Sequence, residues 1–481
     1  MIYSIFKKVS AIIVSIMLAV PAFADFNVRD YGAKGDGKTL DSPAIDKAIQ
    51  ACTEQGGGKV VVPAGKYLCG SIHLKSNVEL NLKAGCVIVA APASMKAYDK
   101  SETFGFPEYQ DGGHTYFHNS LIWAEGQENV SITGRGMIDG IGLTKKDTEK
   151  GGNVQGGSIG TGDKAIALKQ CRNILIRDIT IFRGGHFAII VTGCERGTID
   201  NVTIDTNRDG IDIDCCKYIT VTNCKVNTPN DDAIVLKASY ALKRAVTCEH
   251  ILVTNCIVTG YKLGTFLDGT YVPEKVNWVC GHIKLGTESN GGYRDITISN
   301  CTCIYSSGLA FEEVDQGLMD NILVTNIALK HVHHYPIYIT TGCRNRGPKD
   351  VKEPSRGQNI MISNVQALDC DSLAGIIVTG MKDAPLRNIS LNNIHIEYRG
   401  GGTAEQAARE YREQGTNYPE PRWAGPTPSY GLFARHVDGL KLSNVTFELK
   451  KEDKRPAILF EDVTGVDMIQ VKGADGKTIQ M

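Results

Sequence analysis

Three acidic residues stand in two short motifs whose positions in the chain could bring them together. Asp209 lies in "TNRDGIDID", and Asp231 and Asp232 are adjacent in "NTPNDDAIVLKAS". Clustered carboxylates repel one another, and the usual result is one raised pKa, so a protonated acid stands beside ionised partners. Inverting hydrolysis of a glycosidic bond needs such a set, because an acid protonates the leaving oxygen while a base activates water.

Two further roles for the acidic cluster also fit the sequence. Carboxylate oxygens suit a hard cation, so the cluster could be a Ca²⁺ site. Asp and Asn also favour turns, and Pro229 and Asn230 mark a turn directly before the acidic pair. Because successive strand residues point to opposite faces, Asp231 and Asp232 can share a site only where a strand begins after that turn.

A repeated strand unit supplies the register that relates these residues. Its copies, such as "YITVTNCKV" and "HILVTNCIV", are β-branched strands of period two that end in Ser, Thr or Asn followed by Asn. Coils of about 22 residues with three short strands are typical of a parallel β-helix, whose coils stack about 4.8 Å apart. The repeated residue is Asp178, Asn201, Asn223, Asn255, Asn300, Asn326, Asn364, Asn393 and Asn444.

Counting eight positions from the repeated residue predicts which side chains share a face. The count reaches His186, Asp209 and Asp231 on three consecutive coils. With Asp232 next to Asp231, three carboxylates are then expected within roughly 5 to 10 Å on one face. The stacked Asn side chains are predicted to hydrogen-bond along the stack and to satisfy polar groups that would otherwise be buried unpaired.

Two segments depart from the strand pattern. Apolar residues at helical spacing predict a helix over Ser42–Glu54, which would cap the open end of the solenoid. "AEQAAREYREQG", Ala404 to Gly415, predicts a second short helix inside a long loop. The sequence therefore predicts an all-β fold, a parallel β-helix with a short N-terminal capping helix, as a single domain over residues 25–481.

Composition and the N-terminus bear on location and partners. Lys plus Arg total 52 against 53 for Asp plus Glu, so no overall field attracts nucleic acid or an anionic membrane. Lys7, Lys8, the apolar run "AIIVSIMLAV" and "AFA" predict a signal peptide over residues 1–24, hence export to the periplasm or the extracellular space with no membrane span afterwards. The fifteen Cys are interpreted as mostly small buried hydrophobes. No metal, no cofactor and a monomeric state are predicted.

These motifs carry a resemblance to glycoside hydrolase family 28, the polygalacturonases and related pectin hydrolases. The similarity runs from about Phe26 to near Val463 and includes "FNVRDYGAKGDGKTLDSPAIDKAIQAC", "ENVSITGRGMIDG", "NRDGIDID" and "NDDAIVLKAS". The resemblance implies a right-handed parallel β-helix. It makes Asp231 the general acid and makes Asp209 and Asp232 the residues that activate water. Asn207 and Arg208 match the family's Asn-Thr-Asp motif with Arg in place of Thr, and Lys237 matches the Lys after the acidic pair; all three are candidate substrate-binding residues.

Two family motifs are altered in this sequence. "CGHIKLGTES" matches the Gly-His-Gly motif only in part, which leaves His282 as a candidate binding residue. The Arg-Ile-Lys motif, which in polygalacturonases holds a galacturonate carboxylate, corresponds to Ala310, Phe311 and Glu312 in "GLAFEEVDQG". A carboxylate repels a carboxylate, so either a neutral sugar such as rhamnose binds beside Glu312 or another cation takes the role. The available cations are Arg208, Lys284, Arg344 and Arg346, each of which, taken alone, is expected to be a solvated surface residue.

Two aromatic loops are predicted to form walls of a sugar cleft. They are "DGGHTYFHNSLIW", Asp111 to Trp123, and "YPEPRWAGPTPSYG", Tyr418 to Gly431. Such walls favour exo-action on pectic polysaccharide or oligosaccharide with galacturonate- or rhamnogalacturonan-type linkages. His186, on the coil before Asp209, is a further candidate binding residue. The alternatives are a polysaccharide lyase or epimerase on the same scaffold and a β-helix that binds carbohydrate without catalysis.

Overall fold

A computed structural model describes residues 25–102, 112–144, 160–274, 279–347 and 353–480. Within these residues, 32 strands join into one continuous sheet whose strand pairs are parallel. The first sixteen are β1 Phe26–Asn27, β2 Asp36–Leu40, β3 Gly58–Val62, β4 Gly65–Cys69, β5 Ile72–His73, β6 Val78–Leu82, β7 Cys86–Ala90, β8 Ser120–Glu125, β9 Glu128–Thr133, β10 Met137–Asp139, β11 Lys164–Lys169, β12 Arg172–Arg177, β13 Thr180–Phe182, β14 Phe187–Thr192, β15 Glu195–Asp200 and β16 Thr203–Asp205.

The remaining strands lengthen toward the C-terminus, where the second and third strands of a coil merge. They are β17 Asp209–Asp214, β18 Lys217–Thr222, β19 Lys225–Asn227, β20 Ile234–Lys237, β21 Cys248–Thr254, β22 Ile257–Thr259, β23 Ile283–Leu285, β24 Tyr293–Ile304, β25 Leu309–Glu313, β26 Leu318–Lys330, β27 Ile337–Thr341, β28 Arg356–Cys370, β29 Ile376–Thr379, β30 Leu386–Tyr398, β31 Leu432–Leu449 and β32 Ile458–Lys472.

Each coil contributes three strands, and each strand pairs with its counterpart on the next coil. Thus β14 pairs with β17, β15 with β18 and β16 with β19. Inside the helix, side chains of one type stack: Ile189, Ile211, Ile234 and Ile283 pair in register and are fully buried. Burying each such side chain stabilises the fold by about 1.5 to 3 kcal/mol, so this column is a main source of stability.

The cysteines extend the core, as predicted. All fifteen lie in the described part of the chain as free thiols, and thirteen of them are buried. The backbone N–H of Cys171 contacts the Sγ of Cys194 at 3.4 Å, and the N–H of Cys194 contacts the Sγ of Cys216 at 3.3 Å. These thiols therefore act as small stacking hydrophobes that also accept weak hydrogen bonds.

The predicted Asn stack forms, but on the surface. The Nδ2 of Asn364 donates to the Oδ1 of Asn326 at 3.1 Å, and Asn393 donates to Asn364 at 2.8 Å, both in exposed positions. Asn326 and Asn364 have φ of 57° and 54°, a left-handed conformation that Asn tolerates better than most residues. The expectation that the stack satisfies buried groups is therefore wrong, because the sharp left-handed bend points these side chains outward.

The N-terminal helix has the predicted bounds. Helix α1, Ser42–Glu54, starts with Pro43 in its first turn and buries Ile45, Ala48, Ile49 and Cys52 against the first coil. The helix predicted over 404–415 is shorter: α2 spans only Ala404–Ala407, and α3 follows at Pro421–Ala424. The chain leaves the helix after Ala407 because Tyr411 packs into an apolar cluster beside Phe433, with ring centroids 5.0 Å apart.

Two predictions about the chain as a whole stay predictions. The signal peptide falls on residues 1–24, which lie outside the described residues, so the domain boundary at residue 25 is untested. In the described ranges, none of the helices combines the length and the apolar character that crossing a membrane requires.

Candidate active site

The first strands of successive coils form one flat face, here called the site sheet. It contains β8, β11, β14, β17, β20, β23, β25, β27, β29 and the first residues of β31 and β32. One outward-facing column changes character along it, from apolar at each end to charged in the middle. In register the column reads Trp123, Ala167, Ile190, Asp212, Val235, Lys284, Ala310, Tyr338, Ile377 and Phe433.

The N-terminal end of the site sheet is covered by part of the first predicted wall. Phe117 packs with Ala167, Phe187 and Ile190 in an apolar cluster on this outer face. The His114 ring lies edge-on to Phe187 at 4.9 Å, and its Nε2 is 3.6 Å from the Oδ2 of Asp212. Asp111, the first residue of the predicted wall, lies outside the described residues.

The C-terminal end is covered by the insertion between β30 and β31, which contains the second predicted wall. Tyr411 and Ala424 of this insertion pack on Ala310, Tyr338, Ile377 and Phe433 in a second apolar cluster. The Tyr418 hydroxyl lies 3.1 Å from the Oγ1 of Thr287, which belongs to the middle of the site sheet. Two apolar clusters therefore close the outer face along the helix axis and leave the charged middle between them.

Three carboxylates meet in this middle section. Asp209 is the first residue of β17, and Asp231 and Asp232 lie in the turn before β20. One oxygen from each of the three lies within 4.8 Å of the others. The starts of the two strands can approach because residue 210 is Gly: a Cβ there would lie 2.4 Å from the carbonyl oxygen of Ala233. The Gly210 N–H donates to the Asp232 carbonyl at 2.9 Å and ties the two strand starts together.

The predicted register is wrong by one residue. Asp212 pairs with Val235, a separation of 23 residues, whereas Asn201 and Asn223 are 22 apart, so the turn after Asn227 holds one extra residue. Asp232 therefore lies level with Asp209. The turn after Phe182 also holds one more residue than the turn after Asp205, so Asp209 pairs with Phe187 on the previous coil instead of His186. The His186 Nδ1 lies 3.2 Å from the Oδ2 of Asp163, on the N-terminal side of the acidic cluster.

Lys237, a candidate substrate-binding residue, lies against the acidic cluster. Its Nζ lies 3.3 Å from Asp209, 3.2 Å from Asp212 and 3.7 Å from Glu288. Burial acts to lower the pKa of Lys237, but these three carboxylates hold it well above the usual range, so the ammonium stays charged. Asp209 has the opposite balance: burial, and then the carboxylates of Asp231 and Asp212, raise its pKa well above the usual range against the effect of Lys237.

Asp232 is held by two basic groups from the following coil. The Nε2 of His282 contacts its Oδ1, and the Nζ of Lys284 lies 3.6 Å from its Oδ2. Burial acts to raise the pKa of Asp232, but Lys284 and His282 together hold it well below the usual range. The pKa values of Asp209 and Asp232 are thus shifted in opposite directions although the two residues lie level on adjacent coils.

Asp231 is the most accessible of the three carboxylates. Its side chain is 23% exposed, against 5% for Asp209 and 7% for Asp232. The Nη1 of Arg208 lies 2.7 Å from its Oδ2. Asn207, the other candidate in this motif, accepts a hydrogen bond from the Nδ2 of Asn230 and so links the two turns that carry the acids.

Glu312 lies beside the cluster, as predicted, and it has a cation of its own. Its carboxylate is 3.3 Å from the Nζ of Lys284 and accepts a hydrogen bond from Thr287 at 3.1 Å. Burial raises the pKa of Glu312 to about 7, although Lys284 opposes the shift. Lys284 faces Ala310 on the next coil, so its ammonium takes the space that the short Ala side chain leaves.

The sequence analysis missed some charged residues of the site and wrongly expected others to be exposed. Lys284 and Arg344 were expected at the solvated surface, but both side chains are almost fully buried next to Glu312 and Asp315. Asp212 could have been found, because "DGIDID" alternates and places it on the outward face. Glu288 comes from an irregular loop, in which no repeat gives a register.

The site could in principle hold a cation. The oxygens of Asp209, Asp231 and Asp232 are close enough together to ligate one ion. The ammonium groups of Lys237 and Lys284 already lie 3.3 and 3.6 Å from two of these carboxylates, so much of the negative charge is neutralised by the protein itself. This arrangement favours acid and base chemistry over binding of a divalent cation.

Comparison with known proteins agrees with the motifs. Residues 26–262 match the family described as "Rhamnogalacturonase A/epimerase, pectate lyase-like". An exopolygalacturonase of Platanus acerifolia is 26% identical over 392 residues, covering 78% of this chain and 91% of that protein. An exo-poly-alpha-D-galacturonosidase of Dickeya chrysanthemi is 25% identical over 406 residues, covering 74% of this chain but only 64% of the relative.

The solved structure of a family 28 exopolygalacturonase from Yersinia enterocolitica superposes with a TM-score of 0.68 at 21% identity, over 95% of this chain and 79% of that one. The predicted fold, a right-handed parallel β-helix, is thereby confirmed. The resemblance to glycoside hydrolase family 28 is confirmed as well, because the chain is similar to an exopolygalacturonase and an exo-poly-alpha-D-galacturonosidase over about three quarters of its length.

Proposed function

We propose that the chain is an exported, inverting glycoside hydrolase that removes sugars from the ends of pectic polysaccharides or oligosaccharides. The proposal rests on one observation: three carboxylates, with oxygens within 4.8 Å of one another, lie in the middle of the site sheet, which apolar clusters close at both ends. A chain end fits such a section, whereas a long polymer lying along the groove would collide with the clusters. The named relatives are exo-acting on polygalacturonate-type substrates, which supports the same class here.

In this proposal Asp231 donates a proton to the leaving oxygen, while Asp209 and Asp232 accept the proton of the water that attacks the anomeric carbon. The exposure of Asp231 supports its role, because a leaving oxygen can reach it most directly. Burial and the carboxylate of Asp231 raise the pKa of Asp209, so within the acidic cluster Asp209 holds a proton more tightly than an isolated Asp does. Transfer of that proton to Asp231 makes Asp231 the neutral, protonated acid and leaves Asp209 as an anionic base, so the carboxylates act as one coupled set.

The inverting stereochemistry rests on the family resemblance. Inverting glycosidases usually separate their two carboxyl groups by about 6.5 to 9.5 Å to leave room for water. The closest oxygens here lie within 4.8 Å, so their distance alone does not predict inversion. The configuration of the product is therefore the measurement that decides this part of the proposal.

A pectic substrate agrees with the charge of the site. Lys284, Arg344 and Arg346 lie on its C-terminal side, where the family's Arg-Ile-Lys cations are missing. Export follows from the signal-peptide pattern of residues 1–24. We propose that the enzyme acts as a monomer in the periplasm or outside the cell.

The test is digestion of a panel of pectic fractions, including polygalacturonate and rhamnogalacturonan, with NMR of the freshly released sugar. We expect single sugars from the first turnovers, with inverted anomeric configuration. Long oligosaccharides released first would contradict exo-action, and a retained configuration would contradict inversion. An unsaturated product absorbing in the ultraviolet, or loss of activity in a chelator, would favour a lyase instead. Sugar binding without new reducing ends would favour a non-catalytic β-helix.

A further inference from the structure

One cation near the acidic cluster lacks the carboxylate partner that its neighbours have. Lys284 contacts two carboxylates, and the Nε of Arg344 donates to Asp315 at 3.0 Å. Within the described residues, Arg346 forms no ion pair, and its Nη1 is buried without a hydrogen-bond partner. The charge of Arg346 is therefore available to an anion that the protein itself does not supply.

The backbone holds Arg346 in place. Its N–H donates to the Oδ1 of Asp315 at 2.9 Å, and its carbonyl accepts a hydrogen bond from the Nδ2 of Asn290. The same Asp315 binds Arg344, so the two arginines share one buried anchor. A guanidinium on a fixed backbone loses less conformational entropy when it binds a ligand.

Tyr418 lies near both Arg346 and the Thr287 side chain that binds Glu312. The Arg346 guanidinium lies 5.8 Å from the centroid of the Tyr418 ring. The hydroxyl of that ring is 3.1 Å from the Oγ1 of Thr287, which donates to Glu312. Tyr418 belongs to the insertion that closes the C-terminal end, so Arg346 lies at the closed end of the site.

Electrostatics favour an anion at this position. Burial, and then the neighbouring charge of Arg344, lower the pKa of Arg346. A cation that is partly removed from water and repelled by a second cation gains from a carboxylate partner. Its planar guanidinium can also form two parallel hydrogen bonds with a carboxylate.

We propose that Arg346, beside the Tyr418 ring, binds the carboxylate of the terminal uronic acid of the substrate at the closed end of the site. It takes over the role of the cations replaced by Ala310 and Glu312, because Lys284 is already engaged by Asp232 and Glu312. This assignment rests on the proposed function for its substrate class.

The test compares galacturonic acid with galactose, which differ only at C6, by NMR titration of the full chain. We expect the wild-type protein to prefer galacturonic acid. Arg346→Ala and Arg346→Gln are expected to lose about 10- to 100-fold in affinity for it, the loss of a charged hydrogen-bonding partner, with little change for galactose. Arg346→Lys keeps the charge and is expected to keep part of the preference. Arg412→Ala, which removes an exposed cation of the insertion that carries Tyr418, is the matched control and should bind like wild type.

Equal binding of the two sugars by wild type, a preference that survives in both neutral variants, or no binding of galacturonic acid would overturn the proposal. Because the titration needs no bond cleavage, its result does not depend on hydrolysis. Failure of hydrolysis with an intact Arg346-dependent preference would contradict only the proposed reaction.

Discussion

The Asn stack and the middle of the site sheet are two surfaces of the same coils that differ in almost every respect. Along the stack, one residue type recurs, the Asn side chains are exposed, and Asn326, Asn364 and Asn393 bond to the stacked Asn of the neighbouring coil. Across the middle of the site sheet, nearly every coil carries a different charged side chain, and most are buried. The stack keeps the repeat that the fold requires, whereas the site sheet departs from the repeat at the three clustered carboxylates.

This difference shows where substitutions should affect stability and where they should affect activity. An exposed hydrogen bond of the stack contributes little to the free energy of unfolding, and its loss affects only the neighbouring coils. A buried network of opposite charges is balanced as a whole, so removing one member leaves others uncompensated. The following substitutions test this difference between the two surfaces, in order of decreasing expected effect.

Asp231→Asn should reduce kcat by about 1000-fold, because positioned acid catalysis contributes roughly 10² to 10⁴. The fold should persist, since Asp231 is partly exposed and its pair with Arg208 is a weak contributor to stability. Initial rates on pectic oligosaccharides and the unfolding temperature measure the two effects. Asp200→Asn, an acid that accepts from Asn223 in the exposed stack, is the control and should keep full activity. Near-normal turnover by Asp231→Asn would remove it from the acid role.

Lys237→Met should lower the free energy of unfolding by about 3 to 5 kcal/mol, because it leaves buried charges without their partner. Asp209, Asp212 and Glu288 all contact this ammonium. Urea unfolding at pH 7 measures the loss, and Lys225→Met, at an exposed position, should change little. Equal stability of the two variants would show that the network does not depend on Lys237.

Glu312→Gln should change how stability depends on pH. The folded-state pKa of Glu312, about 7, exceeds the ordinary 4.5, so the folded state binds a proton more tightly than the unfolded chain does. In wild type this contribution is fully present below pH 4.5 and falls as pH rises to 7, by up to about 3 kcal/mol. Urea unfolding at pH 5 and pH 8 measures it. Between pH 5 and pH 8 the wild type should lose more stability than the variant. A parallel pH dependence of the two proteins would contradict a raised pKa at Glu312.

Asn364→Ala should cost about 1 to 2 kcal/mol, because Ala is disfavoured at the positive φ of this bend. Asn364→Gly removes the same stack bonds but accepts the conformation, so it should cost less than Ala. Urea unfolding separates the two effects, and activity should remain normal in both variants. A larger loss in the Gly variant would mean that the stack bonds outweigh the backbone conformation.

The repetitive parts of the fold were predictable from the sequence because periodicity reports burial directly. The coils, the bounds of α1 and the buried cysteines follow from spacing alone. The site was predictable in part: Asp209, Asp231, Asp232, Lys237 and His282 do meet, yet the count assigned Asp231 and His186 to the level of Asp209. One extra residue in the turn after Asn227 moved Asp232 into that place, and residue counting cannot detect an irregular turn. Lys284 and Arg344 were named as possible cations but expected at the solvated surface, and Glu288 was missed, because their burial depends on loops outside the repeat.

The two apolar clusters on the site sheet have a consequence for turnover. Because the two clusters fill both ends of the charged section, the released sugar is expected to leave by the same opening through which the next chain end enters. We therefore expect the free sugar to inhibit competitively and each encounter to remove one sugar, without sliding along the polymer. At saturating substrate, the departure of that sugar and not the cleavage of the bond is then expected to limit the rate.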